Sequence, residues 1–241
     1  MDIIDKIFQN KPEVKKQFEI LYSKYKNSFN KVLNDKNQIN RVSFISEVRF
    51  GFYLNERFSF LKYNPNLFRK TPDWVTSDNS ENIIFEVMQL NPDNSIFGDR
   101  INQVKNNSYE GFTSSPKKSF SIKDIFPYLP KIMIKEDRYR DFIQSNNYKL
   151  VICINLTNLK SEFFTDRDLE DYLNLKDNYD YFLQEIEYLD KDNFDLFCKN
   201  VAGFLVMPIF GADIFFIENK MCTNGLSRQT IKKLDKTFVM S

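Results

Sequence analysis

Thr71-Pro72-Asp73-Trp74-Val75-Thr76-Ser77-Asp78-Asn79-Ser80-Glu81-Asn82-Ile83-Ile84-Phe85-Glu86-Val87-Met88-Gln89-Leu90 is the stretch from which the rest of the chain is read. Residues 73–77 and 83–90 have strand composition, and Ser77-Asp78-Asn79-Ser80 between them has the composition of a hairpin loop. Pro72 lacks a backbone donor and suits the start of a strand. Alternation places Ile84, Glu86, Met88 and Leu90 on one face of the second strand. Glu86 is therefore a carboxylate among apolar neighbours, which is costly unless a partner compensates it. The hairpin brings it near Asp73, and the cheapest partner for converging carboxylates is a hard divalent cation such as Mg²⁺.

A third acid lies upstream. Residues 43–60 show helical periodicity with Ser43 as the expected N-cap. On a wheel at 100° per residue, Phe44, Val48, Phe52 and Ile45 fall on one side of an apolar arc, and Phe58, Leu54, Leu61 and Phe50 on the other. Glu47 falls between Phe58 and Leu54, inside the arc, whereas Arg49, Glu56 and Arg57 fall outside it. Glu47 is thus expected to face the core or a cleft.

Further outward, residues 12–34 read as a helix with Pro12 in its first turn and Val14, Phe18, Leu21 and Tyr22 at helical spacing. Asn64-Pro65-Asn66 reads as a turn. Residues 91–120 are polar and rich in loop formers. A helix is expected at about 124–145, a buried strand at 148–154, acidic helix over 162–195, a last pair of strands at 203–206 and 214–217, and a short helix after Leu226. The order α, β, β, α, β, α, β, β indicates an α/β fold, a mixed sheet with helices against it. A chain of 241 residues fits a single domain, with a core at about 40–156 and the acidic segment and final strands over 157–241.

Composition removes many chemistries. There is no histidine, which excludes Ser-His-Asp and Cys-His nucleophile systems, HExxH zinc proteases and histidine acid–base pairs. The three cysteines, Cys153, Cys198 and Cys222, are scattered and form neither a zinc motif nor a disulfide framework, which fits a reducing cytoplasm. No window approaches ~18 consecutive apolar residues, so no membrane span is expected. Met1-Asp2-Ile3-Ile4-Asp5-Lys6 lacks the basic and apolar regions of a signal peptide. Net charge is +1, but Glu162–Asp195 holds twelve acids and three bases, a local −9, so the remainder carries about +10. A basic body of that kind suits nucleic acid.

Taken together, Ser46-Glu47-Val48-Arg49 in a helix, Thr71-Pro72-Asp73-Trp74 at one strand and Phe85-Glu86-Val87-Met88 in the next resemble the PD-(D/E)XK nuclease superfamily, the fold of many restriction endonucleases. The resemblance spans roughly residues 40–156 and implies a restriction-endonuclease-like core, here with an extra N-terminal helix and a C-terminal α/β extension. It implies a Mg²⁺- (or Mn²⁺-) dependent endonuclease acting on DNA. Asp73 and Glu86 would hold the metal with the Val87 carbonyl, and Glu47 would complete the shell. The family's lysine position is occupied by Met88, whose thioether carries no charge. In some members that lysine sits on the following helix, where Lys135 is the candidate and Lys131 the second. Arg100 and Lys105, in the polar segment after the hairpin, are candidate phosphate contacts with Lys131. Enzymes of this kind that cut both strands are commonly homodimers. Two other readings remain at this point: a nuclease fold that has lost catalysis and serves as a DNA- or protein-binding module, and an interaction protein acting through its acidic segment.

Overall fold

Trp74–Asp78 (β2) and Glu81–Gln89 (β3) pair antiparallel, with Trp74 opposite Phe85 and Asp78 opposite Glu81, as the hairpin reading requires. Ser80, ahead of β3, has a positive φ of 67°, the left-handed backbone of a tight turn. The structure, a computed structural model, describes residues 3–8, 11–34, 41–67, 70–78, 80–90, 128–156, 166–186, 189–207 and 214–235. All further statements concern those residues.

Around the hairpin the sheet grows to six strands in the order β1-β2-β3-β4-β5-β6. Leu61–Tyr63 (β1) pairs antiparallel with β2. Tyr148–Asn155 (β4) runs parallel to β3, with Glu86 opposite Ile152. Val201–Met207 (β5) runs parallel to β4, and Phe215–Glu218 (β6) closes the far edge antiparallel to β5. Such a mixed sheet, with its central strands apolar on both sides, needs a helical layer on each face.

The two layers divide β3 by residue parity. On one face lie Ile3–Ile7 (α1), Pro12–Leu33 (α2) and Arg41–Asn55 (α3), which pack Phe18, Leu21, Phe29, Phe44, Val48 and Leu54 into one apolar cluster with Ile83, Phe85 and Val87. On the other lie Leu129–Asp137 (α4), Arg140–Asn146 (α5), Asp166–Leu173 (α6), Tyr179–Glu185 (α7) and Lys191–Asn200 (α8), packed around Ile84, Met88, Leu150, Ile152 and Ile154. Arg228–Leu234 (α9) returns to the first face through Leu234.

Several expectations are corrected. The helix expected over 43–60 runs Arg41–Asn55, so Ser43 lies inside it and is not its cap. The apolar residues Phe58, Leu61 and Tyr63 are buried, but they belong to the link into β1 and to β1 itself, a strand whose three residues are too few for periodicity to reveal. The helix expected over 124–145 is two helices. The chain tightens between them where the Tyr139 N–H donates to the Glu136 carbonyl, three residues back. The acidic segment is likewise three helices. Leu169, Tyr172, Phe182, Phe194 and Phe197 enter the core, while Glu170, Asp171, Asp177, Asp180, Asp190 and Asp192 face solvent. Two helices, not one, precede the acid-bearing α3, and the C-terminal strands extend the same sheet. The polar segment 91–120 lies outside the described residues. No helix among them is long and apolar enough to cross a membrane.

Candidate functional site

The acids are held by the residues beside them. Trp74, the first residue of β2, is fully buried, and its indole N–H donates to the Glu47 carbonyl at 3.0 Å. One helical turn on, Gly51 leaves room for the same ring: a Cβ there would lie 1.9 Å from Trp74 Cζ2. Trp74 therefore fixes α3 against the start of β2, and with it Glu47 near Asp73. The Glu47 carboxylate accepts hydrogen bonds from the Tyr63 hydroxyl at 2.7 Å and from Ser43 Oγ at 3.2 Å.

Asp73 stands just ahead of the ladder. Trp74 pairs with Phe85, so Asp73 falls opposite Glu86, and its Oδ2 accepts the Val87 N–H at 2.7 Å. Glu86 itself is 1% exposed on the α4 side of β3. Its Oε1 accepts from Lys135 Nζ at 2.9 Å and from Arg138 Nη1 at 3.3 Å, while neither cation reaches its buried Oε2. Tyr139 is wholly buried with its hydroxyl beside the Glu86 carboxylate, and burial, then the charge of Glu86 and a hydrogen bond to it, push its pKa upward. The spacing i, i+3, i+4 puts Lys135, Arg138 and Tyr139 on one side of the α4–α5 junction, turned toward β3.

The acids act on one another. Burial, then the charges of Glu47 and Glu86, hold the Asp73 carboxyl well above the ordinary aspartate range, with Lys135 and the Val87 N–H opposing. Burial also raises Glu47; its hydrogen bonds from Tyr63 and Ser43 lower it, and the charge of Glu86 raises it further. Glu47, Asp73, Glu86 and Lys135 are thus one electrostatic unit. It is not a closed metal cage: among the described residues, no group of three or more His, Cys, Asp or Glu side chains is arranged to hold a metal ion. Each carboxylate is engaged separately, Glu47 by hydroxyls, Asp73 by an amide and Glu86 by two cations.

The other candidates separate. Lys131 is exposed and lies 5.5 Å from the Tyr128 ring centroid, so it does not share the Glu86 contact of Lys135. Arg100 and Lys105 lie outside the described residues. Met88 is 9% exposed within the apolar cluster beneath α4. Gln89 faces the opposite side, where Ser46 Oγ donates to its Oε1 at 3.2 Å and accepts from Asn155 Nδ2 at 2.7 Å. Arg138, Tyr139 and Tyr63 were missed from sequence. The first two were legible as Lys135-x-x-Arg138-Tyr139, a one-sided pattern on a helix after the acid strand. Nothing local marks Tyr63. A groove of about 260 Å³ lined by Pro130, Met133, Ile134, Asp137, Arg140, Leu189, Asp190 and Asn193 lies on the outer side of α4 and contains none of the acids.

No family model, curated protein or solved structure matches the chain.

Proposed function

We propose that the protein is a divalent-cation-dependent nuclease with a restriction-endonuclease-like core that hydrolyses phosphodiester bonds in DNA. One observation carries the reading: Glu86 is a buried carboxylate with two cations on one oxygen and none on the other, beside an aspartate that burial and its neighbours' charges keep hard to ionise. A buried carboxylate oxygen that no cation reaches and surplus negative charge are both relieved by a hard cation that takes oxygen ligands. The element order also supports it, since an acid-bearing helix, a Pro-Asp hairpin with Glu on its second strand, a helix and a parallel strand follow in turn.

Asp73 and Glu86 would hold Mg²⁺ or Mn²⁺, with Glu47 and the Val87 carbonyl as further donors. The cation would polarise a phosphate oxygen and lower the pKa of an attacking water. The protein's own part is positional and electrostatic. The Val87 N–H orients Asp73, and Tyr63 and Ser43 orient Glu47. Lys135 supplies the positive charge that Met88 lacks, on the same face of β3, where negative charge would grow on the phosphate.

The test is Mg²⁺-dependent cleavage of duplex and single-stranded DNA by Asp73→Asn, Glu86→Gln and Lys135→Ala. Losses on the order of 100-fold or more are expected for each. Wild-type rates in the Asp73 and Glu86 variants would overturn the assignment. A second reading rests on Met88, apolar and packed where the family has its lysine: a nuclease fold retained as a DNA- or protein-binding module. DNA binding without cleavage in any divalent metal would favour it.

A further inference from the structure

Three glutamates are buried among the described residues: Glu81, Glu86 and Glu136. Two of them are satisfied at both oxygens. Glu136 accepts from Arg140 at both oxygens and from Asn200 at Oε1. Glu81 pairs with Lys149 at Oε1, where the Ser227 N–H also donates, and takes the Ser227 and Thr230 hydroxyls at Oε2. These are structural carboxylates, with every acceptor engaged. Glu86 differs: both of its cations crowd onto Oε1 and neither reaches Oε2, with the Tyr139 hydroxyl beside the carboxylate. Its cations differ too. The side chain of Arg140 on Glu136 is 16% exposed, whereas those of Lys135 and Arg138 are 25% and 47% exposed. Arg138 therefore approaches from solvent, at the point where α4 ends, and an ion pair that open to water is weak and exchangeable.

We infer that Lys135 and Arg138 are place-holding cations on Glu86 that a divalent cation displaces, and that Arg138, once released, binds a phosphodiester of the substrate. The inference rests on the metal reading above and adds a residue and an order of events to it. Without metal, the two side chains balance the charge of a carboxylate that has almost no access to water. A divalent cation entering at Oε2, which neither side chain reaches, competes with them for the same negative charge. A guanidinium set free beside the acids has the planar fork that pairs with phosphate oxygens, and it stands at an exposed edge that a polyanion can reach. Metal occupancy and phosphate binding are thereby coupled: the positive charge that opposes the metal in the free protein is the charge that holds the substrate afterwards.

The test uses the full chain with Arg138→Met and Arg138→Lys. Binding of Mn²⁺ alone is measured by calorimetry and by quenching of the single tryptophan, Trp74, which adjoins Asp73. Binding of a blunt DNA duplex is measured in Ca²⁺. Lys135 still neutralises Glu86 in both variants, so folding should be kept, as checked by melting temperature. Arg138→Met should bind Mn²⁺ about 3- to 10-fold more tightly, because a competing charge is gone, and the duplex more weakly. Arg138→Lys should return both toward wild type. Damage to the fold would weaken both, so the opposite signs are diagnostic. If Arg138→Met binds Mn²⁺ no more tightly than wild type, the displacement is refuted while the metal site stands. Unchanged duplex affinity refutes the phosphate role. If wild-type protein binds no Mn²⁺, the metal reading falls and this inference with it.

Discussion

At the scale of single residues, Asp73 shows what a site costs. Burial and then the charges of Glu47 and Glu86 disfavour its ionised form, so its folded pKa lies above its unfolded one. The stability linked to this group is full below the unfolded aspartate range, near ~3.9, and is lost as pH rises through the raised folded value. Two outcomes follow. At pH 7 and without metal, Asp73→Asn should melt at a higher temperature than wild type; if the proposed metal site holds, Mn²⁺ should add stability to wild type that grows with pH and vanishes in the variant. Calorimetric melts from pH 4 to pH 8 check both, and an Asp73→Asn protein less stable than wild type at pH 7 would count against the electrostatic account. Met88 allows a complementary exchange. It lies on the Glu86 face of β3, so under the proposed nuclease activity Met88→Lys in a Lys135→Ala background should recover part of the cleavage lost, at a cost in stability of about 2 kcal/mol for burying an amine in an apolar cluster. Initial rates on supercoiled DNA measure the recovery.

At the scale of elements, two clamps hold helices to the hairpin, and the first of them positions the site. The first is Trp74 with Gly51. A methyl group at position 51 meets the indole ring, and neither a helix backbone nor a fully buried ring moves cheaply. Gly51→Ala should lower stability by about 2 kcal/mol or more despite the better helix propensity of alanine, and, by shifting Glu47, should weaken the proposed metal site. Urea denaturation and Mn²⁺ titration separate the two effects. The second clamp ties α9 to the start of β3. Burial alone would raise the pKa of Glu81, but hydrogen bonds from Lys149, Thr230 and Ser227 outweigh it and hold the carboxyl below its ordinary value. The stability it contributes is present above the unfolded glutamate range and is lost as pH falls through the depressed folded value. Glu81→Gln should therefore cost about 3 kcal/mol at neutral pH and flatten the acid side of the stability profile. Hydrogen exchange should show Arg228–Leu234 losing protection first.

At the scale of the whole molecule, β5 and β6 join the same sheet as the hairpin, and the acidic helices supply one of its two covering layers. The strongly charged segment is not an appendage: its aromatic residues are core, and its acids are the solvent side of amphipathic helices. Unfolding is accordingly expected to be a single transition, with Trp74 fluorescence and far-UV circular dichroism coinciding. Separate midpoints would show that the strands after Asn200 unfold independently of the hairpin.

The sequence by itself determined what depends on each element's own periodicity. Alternation in Ile83–Leu90 assigned Glu86 to one apolar face and Gln89 to the other, and the packing follows that division. Strands at 203–206, 214–217 and 148–154, the long helix from Pro12 and the helical character of the acidic segment were legible for the same reason: a side chain's direction relative to its own backbone is a local property. Only the tertiary structure decided what depends on which elements meet. A three-residue β1 exists because β2 offers it an edge, and the break at Tyr139 exists because two helices share one face of the sheet. Sequence placed Glu47 in an apolar arc, but its approach to Asp73 depends on an indole ring reaching across to Gly51. That Glu86 carries both Lys135 and Arg138 on one oxygen and neither on the other follows from packing between residues about fifty positions apart, and no local pattern encodes it.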